Sequence, residues 1–189
     1  KNSFVFGSFN NFQKISLNTI KIWSKILKKT NSKLILKNSL NFNEKKVNQI
    51  LLDKFAKENV DLSKIEILSR TKTAEQHIES FNNIDLSLDT FPYPGVTTSF
   101  QSILMGVPVL TMKGFNFNSR CGESINRNLE LHDFIAENEE DYFEKALLVK
   151  NKNQIDELYR KRLQEQALNS CLFDTETFAK DFTKLIRSL

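Results

Sequence analysis

The chain has 189 residues, 40% of them hydrophobic, and a formal net charge of +4. This is enough for one domain with a continuous core, and the longest apolar runs are far shorter than the roughly 20 residues that cross a bilayer. The lysines are interspersed with acidic residues and Cys121 and Cys171 form no CxxC pair, which argues against nucleic-acid binding, a zinc site and a disulfide framework and favours a cytoplasmic protein.

Apolar periodicity predicts strands that alternate with helices along most of the chain. We expect inward faces at Ile22, Trp23, Ile26 and Leu27 in the first helix, and at Val47, Ile50, Leu51 and Phe55 in the second. The expected strands are 4–9, 33–37, 65–68, 84–88 and 107–112, and the helices are 17–29, 44–57, 73–81, 97–105, 123–129, 139–150, 153–168 and 175–189. This order predicts an α/β fold, a Rossmann-like doubly wound parallel sheet with a helical C-terminal tail, as a single domain over residues 1–189.

The fold predicts the place of a ligand, because open α/β sheets bind ligands beyond the carboxyl ends of their strands. Three loops follow strands and have unusual sequences, at 10–14, 69–77 and 89–98. These loops are therefore the first places to look for a site.

The third loop carries the most information. It reads DTFPYPGVTT, with Gly95 just before a predicted helix that opens with Thr97 and Thr98. Free amides and the positive end of a helix dipole make such a helix start an anion site. The alternative is an ordinary helix start, capped by a Ser or Thr hydroxyl with no ligand. Asp89 is interpreted as structural, since a carboxylate at this position can accept backbone amides of the loop.

Two further residues favour a phosphate site. Lys14 follows the first strand and could neutralise a phosphate, although a single lysine is usually solvated. His77, one turn into a predicted helix, could donate to a phosphate or polarise a leaving group, although most such histidines are structural.

The sequence resembles the catalytic region of O-GlcNAc transferases and their SPINDLY relatives. The most specific likeness is the succession of residues 88–93 (LDTFPY), 95–98 (GVTT) and 105–112 (MGVPVLTM). The opening segment with Asn11 and Lys14, the EQH segment ending at His77, and Ser119 with Arg120 also resemble motifs of that family. The likeness extends over nearly the whole chain, including the segment 172–178.

The resemblance implies the C-terminal lobe of a GT-B glycosyltransferase, the lobe that holds the nucleotide sugar. By the same resemblance, Asn11 and Lys14 contribute to nucleotide binding, and the amides and hydroxyls of Gly95, Val96, Thr97 and Thr98 hold the diphosphate. The loop at Lys72 and Thr73 receives the base, His77 lies beside the phosphates, and Gln101 stands where the family reaches the ribose. Lys14 and His77 are then the expected catalytic residues.

This sequence departs from the O-GlcNAc transferase pattern in the same regions. Val96 replaces a histidine, Gln101 replaces an acidic residue, and Ala74 and Ser80 replace basic residues near the base. The sequence of residues 88–93 is more similar to that of SPINDLY proteins, so the resemblance leaves both UDP-GlcNAc and GDP-fucose as donor types.

The resemblance implies inverting, metal-independent transfer from a UDP- or GDP-sugar to a Ser or Thr hydroxyl of a protein acceptor, without a cofactor, nucleic acid or membrane. We expect the segment to be part of a larger enzyme and to bind nucleotide without efficient transfer by itself. Two alternatives remain: a transferase of the same fold that acts on a glycan or a small molecule, and a noncatalytic nucleotide-binding or scaffold module.

Overall fold

Strands and helices alternate through the first two thirds of the chain. The structure is a computed structural model, and it describes residues 4–37 and 44–188. The strands are β1 (Val5–Ser8), β2 (Lys33–Lys37), β3 (Ile65–Leu68), β4 (Leu86–Leu88), β5 (Val109–Met112) and β6 (Ile135–Ala136). The helices are α1 (Leu17–Thr30), α2 (Glu44–Lys57), α3 (Ala74–Glu79), α4 (Thr97–Leu104), α5 (Cys121–Asn128), α6 (Glu139–Lys152), α7 (Glu157–Leu168) and α8 (Thr175–Arg187).

The six strands form one sheet in the order β3-β2-β1-β4-β5-β6, and every neighbouring pair is parallel. The chain runs outward from β1 to β3 and then crosses back, so that β4 pairs with β1. The carboxyl ends of β1 and β4 therefore flank the point where the strand order reverses, which is the usual ligand site in such sheets. This confirms the predicted doubly wound parallel fold.

The helix α1 shows how the predicted pattern becomes packing. Its cap is Ser16, whose side chain accepts from the amide of Thr19, and it ends at Asn31 in the left-handed conformation. The predicted inward residues Ile22, Trp23, Ile26 and Leu27 are all buried in the main core. Their 3-4 spacing gives one apolar stripe against the sheet.

The prediction of the inward face of α2 is only partly confirmed. Leu51 and Phe55 are buried and Val47 packs against them, but the side chain of Ile50 is 48% exposed. Residues 47, 51 and 55 lie one turn apart on a single stripe, whereas residue 50 lies to the side of it.

Several predicted bounds were wrong for local reasons. The helix expected at 73–81 ends at Glu79 and continues as a 3-10 turn, Ser80–Asn83. The helix expected at 153–168 begins at Glu157, because Asn153 ends α6 in the left-handed conformation and Asp156 caps α7. Strand β6 was missed, since its two residues are too few to show a period.

None of the helices among residues 4–37 and 44–188 combines the length and the apolar character that crossing a membrane requires.

Candidate functional site

The site is built around a buried carboxylate at the end of β4. The side chain of Asp89 is 1% exposed. Its Oδ1 accepts hydrogen bonds from the amide of Gly95 at 2.6 Å and from the amide of Thr90 at 3.0 Å. It also accepts from Nδ2 of Asn10 at 3.0 Å, while Oδ2 accepts from the hydroxyl of Thr111 at 2.9 Å. Asp89 thus joins the ends of β1, β4 and β5.

Burial raises the pKa of Asp89 to about 6, against the four hydrogen bonds that lower it. The carboxylate is shielded from solvent. Its hydrogen bonds come from the loop after β4 and from Asn10 and Thr111. The interpretation of Asp89 as a structural residue therefore agrees with its surroundings.

Gly95 occupies a place that admits no side chain. A Cβ atom there would lie 2.5 Å from Oγ1 of Thr98, 2.7 Å from Oγ of Ser99 and 2.8 Å from Oδ1 of Asn10. These distances are shorter than atomic contacts allow, so glycine lets the first turn of α4 approach the loop after β1.

The helix α4 begins without a side-chain cap. Its N-cap residue is Val96, whose side chain is 42% exposed and has no hydrogen-bonding group. The alternative in which a Ser or Thr caps this helix is therefore wrong. The hydroxyl of Thr98 instead donates to Oδ1 of Asn10 at 2.7 Å, and Thr97 is exposed. The amides of residues 97–99 have no intrahelical partner at this end, which gives α4 the free donors of an anion site.

Lys14 lies against the same loop. It ends a 3-10 turn, Phe12–Lys14, which is capped by the side chain of Asn11. Its Nζ donates to the carbonyl oxygen of Pro94 at 3.0 Å and lies 4.6 Å from the centre of the Tyr93 ring. The fold thus brings Lys14 beside the residue that precedes Gly95, although the two are far apart in sequence.

His77 connects this region to a second one. Its Nε2 lies 3.2 Å from Oε1 of Gln101, so α3 and α4 are linked by their side chains. Burial and the nearby charge of Lys37 hold the pKa of His77 below its usual range, against the raising effect of the hydrogen bond with Gln101. The neutral imidazole can donate one hydrogen bond and accept another.

The second region is a cavity of about 310 Å³ beside the carboxyl ends of β2 and β3. Lys72, Thr73 and His77, all proposed from the sequence, line it. The amide of Lys72 donates to Oε1 of Gln76, and Thr73 caps α3 by accepting from the amide of Gln76. The other lining residues are Phe9, Lys37, Arg70, Thr71 and Ala74.

The sequence-predicted residues therefore fall into two neighbouring groups. Lys14 and residues 95–98 meet at the start of α4, whereas Lys72, Thr73 and His77 meet at the cavity, and the contact between His77 and Gln101 bridges the two. Sequence reasoning missed Asn10 and Thr111 as partners of Asp89, and it missed Lys37. A lysine that ends an apolar strand was a signal that could have drawn attention to Lys37.

Among residues 4–37 and 44–188, no three or more His, Cys, Asp or Glu side chains are grouped so that they could hold a metal ion.

The model of glycosyl transferase family 41 matches residues 1–182. The chain is 33% identical over 190 residues to the probable UDP-N-acetylglucosamine–peptide N-acetylglucosaminyltransferase SPINDLY of Eustoma exaltatum subsp. russellianum, which covers 100% of this chain and 21% of that protein. The chain thus spans about a fifth of the length of the curated relatives that it matches.

Solved structures show the same fold. A Thermobaculum terrenum O-GlcNAc transferase mutant superposes with a TM-score of 0.77 at 28% identity, over 88% of this chain and 31% of that chain. Anabaena HepE, in a complex with UDP and glucose, superposes with a TM-score of 0.66 at 18% identity, over 100% of this chain and 49% of that chain. At that identity, the second likeness shows the fold alone.

Proposed function

The chain belongs to glycosyltransferase family 41, and from this membership we propose that it forms the donor-binding lobe of an inverting glycosyltransferase. The donor is a nucleoside-diphosphate sugar of the UDP-GlcNAc or GDP-fucose type, and the acceptor of the whole enzyme is a Ser or Thr hydroxyl of a protein. The similarity to the plant relative, named as a probable UDP-N-acetylglucosamine–peptide N-acetylglucosaminyltransferase, supports both the donor class and the acceptor class.

The observation that carries this proposal is the uncapped start of α4 beside Lys14. This helix start carries three amides without an intrahelical partner and the positive end of the helix dipole, and the ammonium group of Lys14 contacts Pro94, two residues before the N-cap. Each hydrogen bond to a charged group contributes about 1.5–3 kcal/mol, so this arrangement can hold a diphosphate without a metal ion.

The same groups have a part in the reaction. When the acceptor hydroxyl attacks the anomeric carbon, it gives up its proton to solvent or to a base, and the bond from that carbon to the diphosphate breaks with the electron pair kept by the diphosphate. Donors that are already in place stabilise this developing charge better than water does. We assign this stabilisation to Lys14 and to the amides of Val96, Thr97 and Thr98, with His77 as a further donor to the leaving phosphates. The amide of Gly95, which was expected to take part, already donates to Asp89 and is not available to the diphosphate.

The base and the ribose are assigned to the second region. The cavity beside Lys72 and Thr73 receives the base, and Gln101, which contacts His77, lies between the cavity and the phosphate loop. Asn11 contributes by holding the 3-10 turn that presents Lys14.

Thermal unfolding with nucleotides tests the proposal. UDP or GDP should raise the melting temperature of the 189-residue chain, because a ligand that binds only the folded state stabilises it. Adding a chelator should leave the shift unchanged, since no metal takes part in this site. The absence of a shift with any nucleoside diphosphate at millimolar concentration would refute the donor-binding role, and a shift abolished by chelator would refute metal independence.

A further inference from the structure

Lys37, the last residue of β2, is a lysine inside the protein. Its side chain is 3% exposed and follows Ile35 on the face of the sheet that packs against Phe9 and Phe81. Its Nζ donates to Oγ of Ser80 at 2.8 Å and to Oγ1 of Thr71 at 3.3 Å. Burial lowers the pKa of this ammonium group.

No carboxylate among the described residues pairs with Lys37. Lysines are almost never buried without an acidic partner, because removing an ammonium group from water is costly. Two hydroxyl oxygens compensate for only part of the lost hydration. A buried lysine without a carboxylate partner contributes little to the stability of the fold. Its position therefore indicates a role in binding a ligand.

The cavity in front of Lys37 is a place for such a ligand. Lys37, Arg70, Lys72 and His77 all line it, and its described lining contains no carboxylate. The ring of Phe9 lies beside the ammonium group, with Nζ 5.9 Å from the ring centre. A flat group rich in hydrogen-bond acceptors fits this combination of cationic donors and an aromatic wall.

We propose that Lys37 donates a hydrogen bond to a ring carbonyl of the nucleobase, and that it thereby selects keto bases over amino bases. Uracil and guanine present a carbonyl oxygen where cytosine and adenine present an amino group, which would point its hydrogens at the ammonium group. This inference rests on the proposed function and adds to it a residue that determines donor specificity.

The base, rather than the phosphates, is the partner of Lys37 because the two regions of the site are separate. The proposed phosphate donors lie at the start of α4, where Lys14 contacts Pro94. Lys37 lies in the neighbouring cavity, which it lines together with His77. The contact between Gln101 of α4 and His77 of the cavity marks the direction in which a nucleotide with its phosphates at α4 would extend its base.

The test compares ligands in which a ring carbonyl and its neighbouring N–H are exchanged for an amino group and a bare ring nitrogen, UDP with CDP and IDP with ADP, in three proteins. These are the parent, Lys37→Met, and Lys33→Met as a matched control at the exposed end of the same strand. Isothermal titration should show that the parent prefers UDP to CDP, and IDP to ADP, by about tenfold or more. Lys33→Met should keep both ratios, and Lys37→Met should bring both close to one.

Inorganic pyrophosphate and thermal unfolding complete the test. Lys37→Met should bind pyrophosphate as the parent does, and its melting temperature should be equal or higher, because an unpaired buried charge has been replaced by an apolar chain of similar size. Lys37→Gln, whose amide can also accept, should improve CDP relative to UDP and serves if the Met variant fails to fold.

Unchanged base ratios in a folded Lys37 variant would overturn the inference. Weaker pyrophosphate binding with unchanged ratios would also overturn it, because Lys37 would then bind phosphate. Both results leave the proposed function intact, whereas a parent chain that binds no nucleoside diphosphate would refute the proposed function and this inference together.

Discussion

The amide of Gly95 donates a 2.6 Å hydrogen bond to the carboxylate of Asp89, and this contact joins the end of β4 to the start of α4. Because the same carboxylate also holds Asn10 and Thr90, the loop between the two elements has one buried anchor. The phosphate-binding geometry proposed for residues 95–98 therefore depends on a residue that lies beneath the site.

Asp89→Ala should destabilise the chain strongly. It leaves the buried amides of Thr90 and Gly95 without their acceptor, and each unsatisfied group costs about 1–3 kcal/mol. Urea unfolding measures the loss, and nucleotide affinity should fall with it because the loop loses its shape. An Ala variant as stable as the parent would contradict the structural role of Asp89.

Asp89→Asn should change how stability depends on pH. The pKa of Asp89 is raised from 3.8 to about 6 by burial, so the folded state binds the proton more tightly than the unfolded state. Its contribution to the free energy of unfolding therefore falls as the pH rises from about 4 to about 6. The Asn side chain mimics the protonated acid, so the variant should lack this component. Parallel pH profiles of parent and variant would show that the pKa of Asp89 is not raised.

Lys14→Ala should weaken nucleotide binding by about 1–3 kcal/mol, the value of a charge-assisted hydrogen bond. Its stability should fall by a smaller amount, since the half-buried Lys14 gives up one hydrogen bond, to the carbonyl of Pro94. Lys21→Ala, on the exposed face of α1, is the control for the loss of one charge. Calorimetric titration with UDP and GDP gives the affinities, and equal binding by the Lys14 variant and the parent would remove this residue from the site.

Thr97→Val and Thr98→Val should differ in stability although they are neighbours. The hydroxyl of Thr98 donates to Asn10, so its removal should cost about 0.5–1.5 kcal/mol of unfolding free energy. Thr97 is exposed and its replacement should cost little stability, but it should weaken nucleotide binding because its hydroxyl can donate to the diphosphate. Equal thermal stability of the two variants would contradict the contact between Thr98 and Asn10.

His77 should titrate at a lower pH than an ordinary histidine in the free chain. Its pKa is lowered by burial and by the charge of Lys37, so its contribution to stability is lost as the pH falls below the ordinary value of 6.5. A bound diphosphate favours the imidazolium and should raise this pKa. NMR titration of the His77 ring protons with and without UDP measures both values. A His77 pKa that does not change on binding would place the phosphates elsewhere.

The sequence was sufficient to predict a parallel sheet and five of its six strands, but not the order of the strands within it. Strands such as β3 and helices such as α1 have apolar periods that hold whatever surrounds them, because burial of one face is a local property of the pattern. The motif around Gly95 likewise predicted a helix start after a strand, since two prolines restrict the backbone and a glycine permits a tight turn in any context.

Only the tertiary structure decided which groups meet. From the sequence, a Ser or Thr hydroxyl was a possible cap for α4. In the structure the Thr98 hydroxyl donates to Asn10, which follows β1, and Val96 is the N-cap residue. The sequence pattern shows Lys37 only as the last residue of a strand. The tertiary structure buries it and brings its ammonium group to Ser80, which lies in a turn distant along the chain. Such contacts join residues far apart along the chain, and their geometry depends on how the strands are ordered in the sheet, which no local pattern records.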